Sequence, residues 1–245
     1  MQIYHNVEKF CIMWYNKNIK GDFMKISAIR YGTTRLWEDQ IYTFGKREDT
    51  IEISLLFFLV ETDGKKILID VGCDEMAGFD LIEHKKPVKV LEGNGIKKED
   101  ITDIILTHTH GDHCDCVFYY PNATVYVNER EKDSIINKMA KSQKLITFDK
   151  EFIFNEQILI KHVGGHSKGS SIVEISIDNK IYVFVGDECY HKSCFDMPNL
   201  AKSMYNANKT QEFLNEYKKS KYKTFVFHDV EIIDKLGIKT IYYSE

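Results

Sequence analysis

The sequence predicts an α/β fold in which two β-sheets pack together and helices cover their outer sides. Three observations carry that expectation. Short apolar runs and period-2 alternation dominate the first half of the chain, a pattern that marks strands. The second half repeats the plan, β-rich segments followed by helical spacing, which suits two packed sheets flanked by helices. Five strand ends, at Asp70, His108, His166, Asp187 and His228, each close in Asp or His, as expected where strand termini converge on one site.

In chain order, residues 25–31, 53–60 and 65–71 read as strands. Thr62-Asp63-Gly64-Lys65 is the turn that makes the last two a hairpin. Residues 33–50 carry Trp37, Tyr42 and Phe44 without strong periodicity and predict a long loop, a common home for function. Leu81, Ile82, Val88, Val90 and Leu91 predict helix within 75–95, and 103–107 is a buried strand. Residues 124–127 follow as a strand, 129–142 as a helix and 151–163 as an alternating β segment. Residues 171–177 and 180–186 form a hairpin around Asp178-Asn179. Phe213, Leu214 and Tyr217 predict a helix over 209–220, and a buried strand over 223–227 ends at His228.

Composition narrows the function classes. A chain of 245 residues with 43% apolar and 29% charged side chains has the make-up of a globular protein with a sizeable core. A net charge of −4, with lysines interleaved among acids, gives no electrostatic footprint for nucleic acid. No apolar run reaches the ~18 residues of a membrane span, so no membrane partner is expected. Three prolines and no Gly/Ser tract argue against a flexible linker. Residues 1–23 are expected to be an N-terminal extension and 24–245 the functional domain, because 24–31 reads as a natural first strand. Six cysteines without a secretory signal predict reduced thiols in the cytoplasm. Cys114-Asp115-Cys116 lacks the second cysteine pair of a zinc site and reads as small semi-buried residues.

The chemistry concentrates in Thr107-His108-Thr109-His110-Gly111-Asp112-His113, which follows the apolar Ile104-Ile105-Leu106. Three imidazoles and a carboxylate at a strand end must each find a partner when buried, and divalent metals supply such partners. The later His166, set between Gly164-Gly165 and Gly169, together with Asp187 and His228, completes two ligand sets. His108, His110 and His166 suit one ion, Asp112, His113 and His228 a second, and Asp187 a bridge between them. Nitrogen and oxygen donors suit zinc, iron, manganese or cobalt and do not decide among these; two divalent ions are expected, with zinc the expected choice. Asp70 fits a place just outside these sets, accepting an imidazole N–H and fixing its tautomer. His162 and His191 read as surface residues, and His5 and His84 belong to no cluster.

These motifs resemble the metallo-β-lactamase superfamily over roughly residues 24–235. His108-Thr109-His110-Gly111-Asp112-His113 matches the family's H-x-H-x-D-H, followed in order by Gly165-His166-Ser167, Gly186-Asp187 and Phe227-His228-Asp229. The resemblance implies an αβ/βα sandwich of two mixed sheets flanked by helices, with a dinuclear site at one edge. Asp112 and Asp187 together differ from antibiotic-degrading lactamases, and His110 differs from the H-x-E-x-D of flavin-coupled diiron reductases. Gly186-Asp187-Glu188-Cys189-Tyr190 is similar to the N-acyl homoserine lactonases, whose corresponding tyrosine points at the substrate carbonyl; Tyr190 holds that position here.

The implied activity is hydrolysis of a lactone ring of the quorum-quenching type by a hydroxide bridging two metal ions. Tyr190 would stabilise the oxyanion and Asp112 would carry a proton to the leaving alkoxide. A small-molecule lactone or ester is the expected partner, and Trp37, Tyr42 and Phe44 are expected to line an acyl-chain pocket. The competing expectations are a glyoxalase II-like thioester hydrolase, another ester or phosphodiester hydrolase of this fold, and a metal-binding sensor without catalysis.

Overall fold

A strand with apolar residues on both faces needs a layer on each side, and Thr50–Thr62 is such a strand. In the computed structural model, which describes residues 23–197 and 201–244, Leu56, Phe58 and Val60 of that strand enter one core and Leu55, Phe57 and Leu59 another. The strands are β1 (Met24–Trp37), β2 (Thr50–Thr62), β3 (Lys65–Ile69), β4 (Asp103–Ile105), β5 (Thr124–Asn128), β6 (Lys144–Phe148), β7 (Glu151–Ile153), β8 (Ile158–His162), β9 (Ser171–Ile177), β10 (Lys180–Phe184), β11 (Tyr222–Phe225) and β12 (Gly237–Ser244). The helices are α1 (Glu38–Ile41), α2 (Pro87–Gly93), α3 (Gly111–Cys114), α4 (Lys132–Ile135), α5 (Ser193–Asp196) and α6 (Ala207–Tyr217).

Seven strands form one sheet in the order β12-β1-β2-β3-β4-β5-β6, and five form the other in the order β11-β10-β9-β8-β7. Both are mixed: β3 to β6 run parallel after an antiparallel start, and β11 runs parallel to β10 in an otherwise antiparallel sheet. The inner faces share one core in which Phe58 lies 4.8 Å, centroid to centroid, from both Phe184 and Phe227. Truncating such a ring costs about 3–5 kcal/mol. The outer face of the larger sheet packs on Val90 and Leu91 of α2. That of the smaller sheet packs on Phe213, Leu214 and Tyr217 of α6. Helix, sheet, sheet, helix is the αβ/βα sandwich that the family resemblance implies.

The hairpins lie where expected. Thr62 pairs with Lys65, and Asp63 and Gly64 both take positive φ, as a two-residue type I′ loop requires. Asp178 and Asn179 do the same between β9 and β10.

Four expectations need correction. The predicted loop over 33–50 is shorter, because β1 continues to Trp37 against β2 and α1 follows. Helix within 75–95 is confined to α2, where Pro87 opens the helix and the residue before a proline is held extended; Ile82 instead bridges to Thr33. Residues 129–142 form a short 3₁₀ turn and the single turn α4 rather than one helix. The segment 151–163 breaks into β7 and β8, since the Asn155 carboxamide accepts from the Gln157 and Ile158 backbone and turns the chain. β6 and the edge strand β12 went unread in the sequence. The expected extension over 1–23 lies outside the described residues apart from Phe23, whose ring meets Tyr243 edge-on.

Candidate metal centre

Asp70, His108, the His166 turn, Asp187 and His228 all follow strands, and the two sheets bring those ends to one edge of the sandwich. β3 and β4 are parallel neighbours, so Asp70 lands beside Thr107. The Asp70 carboxylate accepts from the Thr107 N–H and hydroxyl, each at 2.7 Å, and lies 2.7 Å from His113 Nδ1. Across the site, Gly186 has φ +54°, and a Cβ there would stand 2.7 Å from the Thr107 hydroxyl. Only glycine allows that approach of the β10 end to the β4 end.

Two donor groups result. His108, His110, His166 and Asp187 form one, and Asp112, His113, His228 and Asp187 the other, with the donor atoms of each within 4.8 Å of one another. Asp187 belongs to both. Its Oδ1 lies 2.9 Å from His113 Nε2 and 3.1 Å from His228 Nε2, while its Oδ2 lies 3.4 Å from His166 Nε2 and 3.7 Å from His108 Nε2. Asp112 stands 3.6 Å from His113 Nε2 and 3.7 Å from His228 Nε2. His110 Nδ1 and His166 Nε2 face each other at 2.9 Å.

Hydrogen bonding alone leaves this cluster unsatisfied. Nε2 of His108, His113 and His228 and Oδ1 of Asp187 are buried and, close as they lie, are not aligned to hydrogen-bond one another. Buried polar atoms are seldom orphaned, and here they converge. The donor set, imidazole nitrogen plus carboxylate oxygen, is that of divalent transition metals, so these residues fit such ions.

The charges of the cluster lean on one another. Burial works to raise the Asp187 carboxyl, but His113, His228 and His166 pull it well below its usual range. Burial works to lower His113, but Asp187, Asp112 and Asp70 hold it well above an ordinary imidazole. Burial dominates at His108, pushed well down, and at His166, pushed down to about 4. Burial, then Asp187 and Asp112, drives the Tyr190 phenol well above its usual value, so its hydroxyl keeps its proton.

Tyr190 stacks on His228, centroids 5.1 Å apart and 14° between planes, and meets His166 edge-on at 5.7 Å. Together with His110, Asp112, Asp187 and His228 it lines a cavity of about 460 Å³. Leu36, Ile53, Met76, Ala77 and Phe79 make the apolar walls, and Lys202 and Met204 also line it. The expected lining by Trp37, Tyr42 and Phe44 is corrected: none borders the cavity. Trp37 and Phe44 stand exposed instead.

Sequence reasoning missed several supports. His228 Nδ1 lies 2.9 Å from the Ser54 carbonyl, which accepts from it, and the Tyr31 hydroxyl donates to the Asp112 carbonyl at 2.9 Å. Such contacts span 174 and 81 residues and leave no local signature. The described cysteines, Cys73, Cys114, Cys116, Cys189 and Cys194, are buried free thiols, and burial pushes Cys73 and Cys114 up to about 12. His162 and His191 join neither donor group. Among the described residues no helix is long and apolar enough to cross a membrane.

Comparison with known proteins agrees with the geometry. The family model described as the metallo-beta-lactamase superfamily matches residues 56–228. No curated protein matches the chain. Among solved structures, a quorum-quenching N-acyl homoserine lactone lactonase superposes with a TM-score of 0.75 at 20% identity, covering 86% of this chain and 94% of that one. AidC, a dizinc quorum-quenching lactonase, gives 0.72 at 19% identity over 94% and 97% of the two chains. A probable metal-dependent hydrolase from Staphylococcus aureus gives 0.68 at 20% identity over 85% and 90%. At such identities the likeness speaks for the fold alone.

Proposed function

The chain belongs to the metallo-β-lactamase superfamily and is a metal-dependent hydrolase of that fold, and we propose that it opens the ring of a lactone, an N-acyl homoserine lactone first among candidates. One observation carries this reading: a polar floor of His110, Asp112, Asp187 and His228, drawn from both donor groups, and of Tyr190 lies beneath apolar walls in a single cavity. Such a cavity suits a small polar ring with an acyl tail. The lactonases among the similar folds support the same class.

In this reading His108, His110 and His166 would hold one divalent ion and Asp112, His113 and His228 a second, with Asp187, a member of both groups, available to each, and zinc would be the first choice. Once bound, such ions polarise a carbonyl and bring the pKa of water toward neutrality. The remaining work falls to side chains. Asp187 sets the separation of the two groups through its two oxygens. Asp70 and the Ser54 carbonyl orient the His113 and His228 rings from behind. Tyr190 donates its proton in a hydrogen bond to the carbonyl oxygen as negative charge develops there. Asp112, on the cavity floor, carries a proton to the leaving alkoxide. Leu36, Ile53, Met76 and Phe79 take the acyl chain and exclude water.

The test is acid release from a series of acyl homoserine lactones, with metal-loaded protein and a chelator-stripped control. The expected result is metal-dependent turnover with kcat/KM above ~10⁴ M⁻¹s⁻¹ and a clear trend with chain length. No turnover from protein that holds its metals would remove the lactone assignment and direct the search to thioesters and phosphodiesters.

A further inference from the structure

The His166 turn, 163–170, carries the one histidine of the first donor group that does not come from the H-x-H-x-D-H run. Its separation from that run therefore decides whether His108, His110 and His166 meet. The backbone joins the two segments at their roots, where the Ser171 N–H donates to the Thr107 carbonyl at 2.8 Å, and no backbone hydrogen bond joins residues 108–113 to residues 164–169. Beyond the roots the link is a side chain from a third element. Glu131, at the end of the 3₁₀ turn that follows β5, is buried and belongs to neither donor group. One of its oxygens accepts from the Thr109 hydroxyl, between His108 and His110. The other accepts from the Ser167 hydroxyl at 2.6 Å, next to His166, and from the Gly169 N–H at 2.9 Å. A single carboxylate thus ties the two ligand-bearing segments.

The other side of the turn is held as firmly. Glu188 accepts from the Gly165 N–H at 3.1 Å, the His166 N–H at 3.3 Å and the Ser170 hydroxyl. A Cβ on Gly165 would stand 2.3 Å from the Glu188 carboxylate, so this grip requires glycine. With the base of the turn held by the Ser171–Thr107 bond and one side held by Glu188, after β10, the side that faces Thr109 is held by Glu131. Buried carboxylates that receive three donors are strong, directional supports, and neither side of this clamp touches the cavity.

We propose that Glu131 is a positioning residue that sets the spacing of His110 and His166, and so governs the affinity of the first donor group for its ion while leaving the second group alone. The proposal rests on the reading of the two groups as metal sites. It does not depend on the substrate.

The test titrates chelator-stripped full-length protein with Zn²⁺. Glu131→Ala is expected to weaken one of two bound ions by about ten- to a hundredfold, the usual effect of losing an outer support, with the other ion unchanged. Glu131→Gln, which keeps the shape and an acceptor oxygen, is expected to recover part of that loss. In a His110→Gln background, where the first group is already disabled, Glu131→Ala is expected to change nothing further. Equal weakening of both ions overturns the proposal, as does a loss that persists in the His110→Gln background or an unchanged pair of affinities. Should Glu131→Ala fail to fold, Ser167→Ala removes one donor, and a smaller loss confined to the same ion decides. Wild-type protein that binds two ions but opens no lactone removes the substrate assignment and leaves this role standing; wild type that binds fewer than two overturns both.

Discussion

The two donor groups share Asp187 yet are supported in different ways. In the group of Asp112, His113 and His228, the far ring nitrogens are tied directly: His113 to the buried Asp70, His228 to the Ser54 carbonyl. In the group of His108, His110 and His166, only His108 has such a tie, to the Thr107 hydroxyl at 3.1 Å. His166 Nδ1 has none, and His110 is the one exposed member. The order of this group comes from the carboxylate clamps of Glu131 and Glu188, one step removed from the rings. The difference teaches that one cluster can combine a group oriented ring by ring with a group held by its loops. The first kind depends on one hydrogen bond per histidine, the second on the spacing of whole segments.

The largest expected effect removes what the groups have in common. Asp187→Ala should abolish binding of both ions and reduce turnover to that of stripped protein, measured by metal analysis and rate; retention of one ion at full affinity would show that the groups are independent. Next, Tyr190→Phe should lower kcat by about 10²–10³, the usual cost of one oxyanion donor, with both ions kept. A full kcat would remove its assigned role.

Asp70→Asn sharpens the comparison most directly. It should weaken the ion of Asp112, His113 and His228 by about ten- to a hundredfold and reach the other group only through the Thr107 hydroxyl that His108 contacts, so Asp70→Asn and Glu131→Ala should each affect a different ion most in the same titration. Effects on the same ion would collapse the distinction. A smaller effect is expected at the cavity wall, where Phe79→Ala should raise KM for long acyl chains by about tenfold, the worth of roughly one buried methylene or two, and barely change it for short ones. The smallest concerns the thiols. With Cys73 and Cys114 buried and pushed up to about 12, an alkylating agent at pH 8 should leave both unmodified in the folded protein and label them on denaturation. Labelling in the folded state would mean that the segment below His113 opens.

How much was legible follows from range. His108, His110, Asp112 and His113 lie within six positions, and the sandwich brings them into the same two groups as His166, Asp187 and His228. The apolar runs of β3, β4 and β10 were readable because burial on both faces leaves uninterrupted hydrophobic sequence. β12 was not, because a half-exposed edge strand pairs with β1 more than 200 residues away. The helix expected over 75–95 failed where the segment before Pro87 found a partner in β1 and became the cavity wall instead. Glu131 carried no signal at all, since its partners sit 22 and 36 residues off in sequence.

By itself, then, the sequence determined the donor chemistry and the layered fold, because both are written in local spacing: residue types a few positions apart and the period of apolar side chains. The tertiary structure alone decided which apolar residues face the cavity, which carboxylates brace the ligand segments and how Asp187 divides its oxygens between two groups. Those depend on distances between segments far apart in the chain, which hydrophobic packing of the two sheets sets and no local pattern encodes.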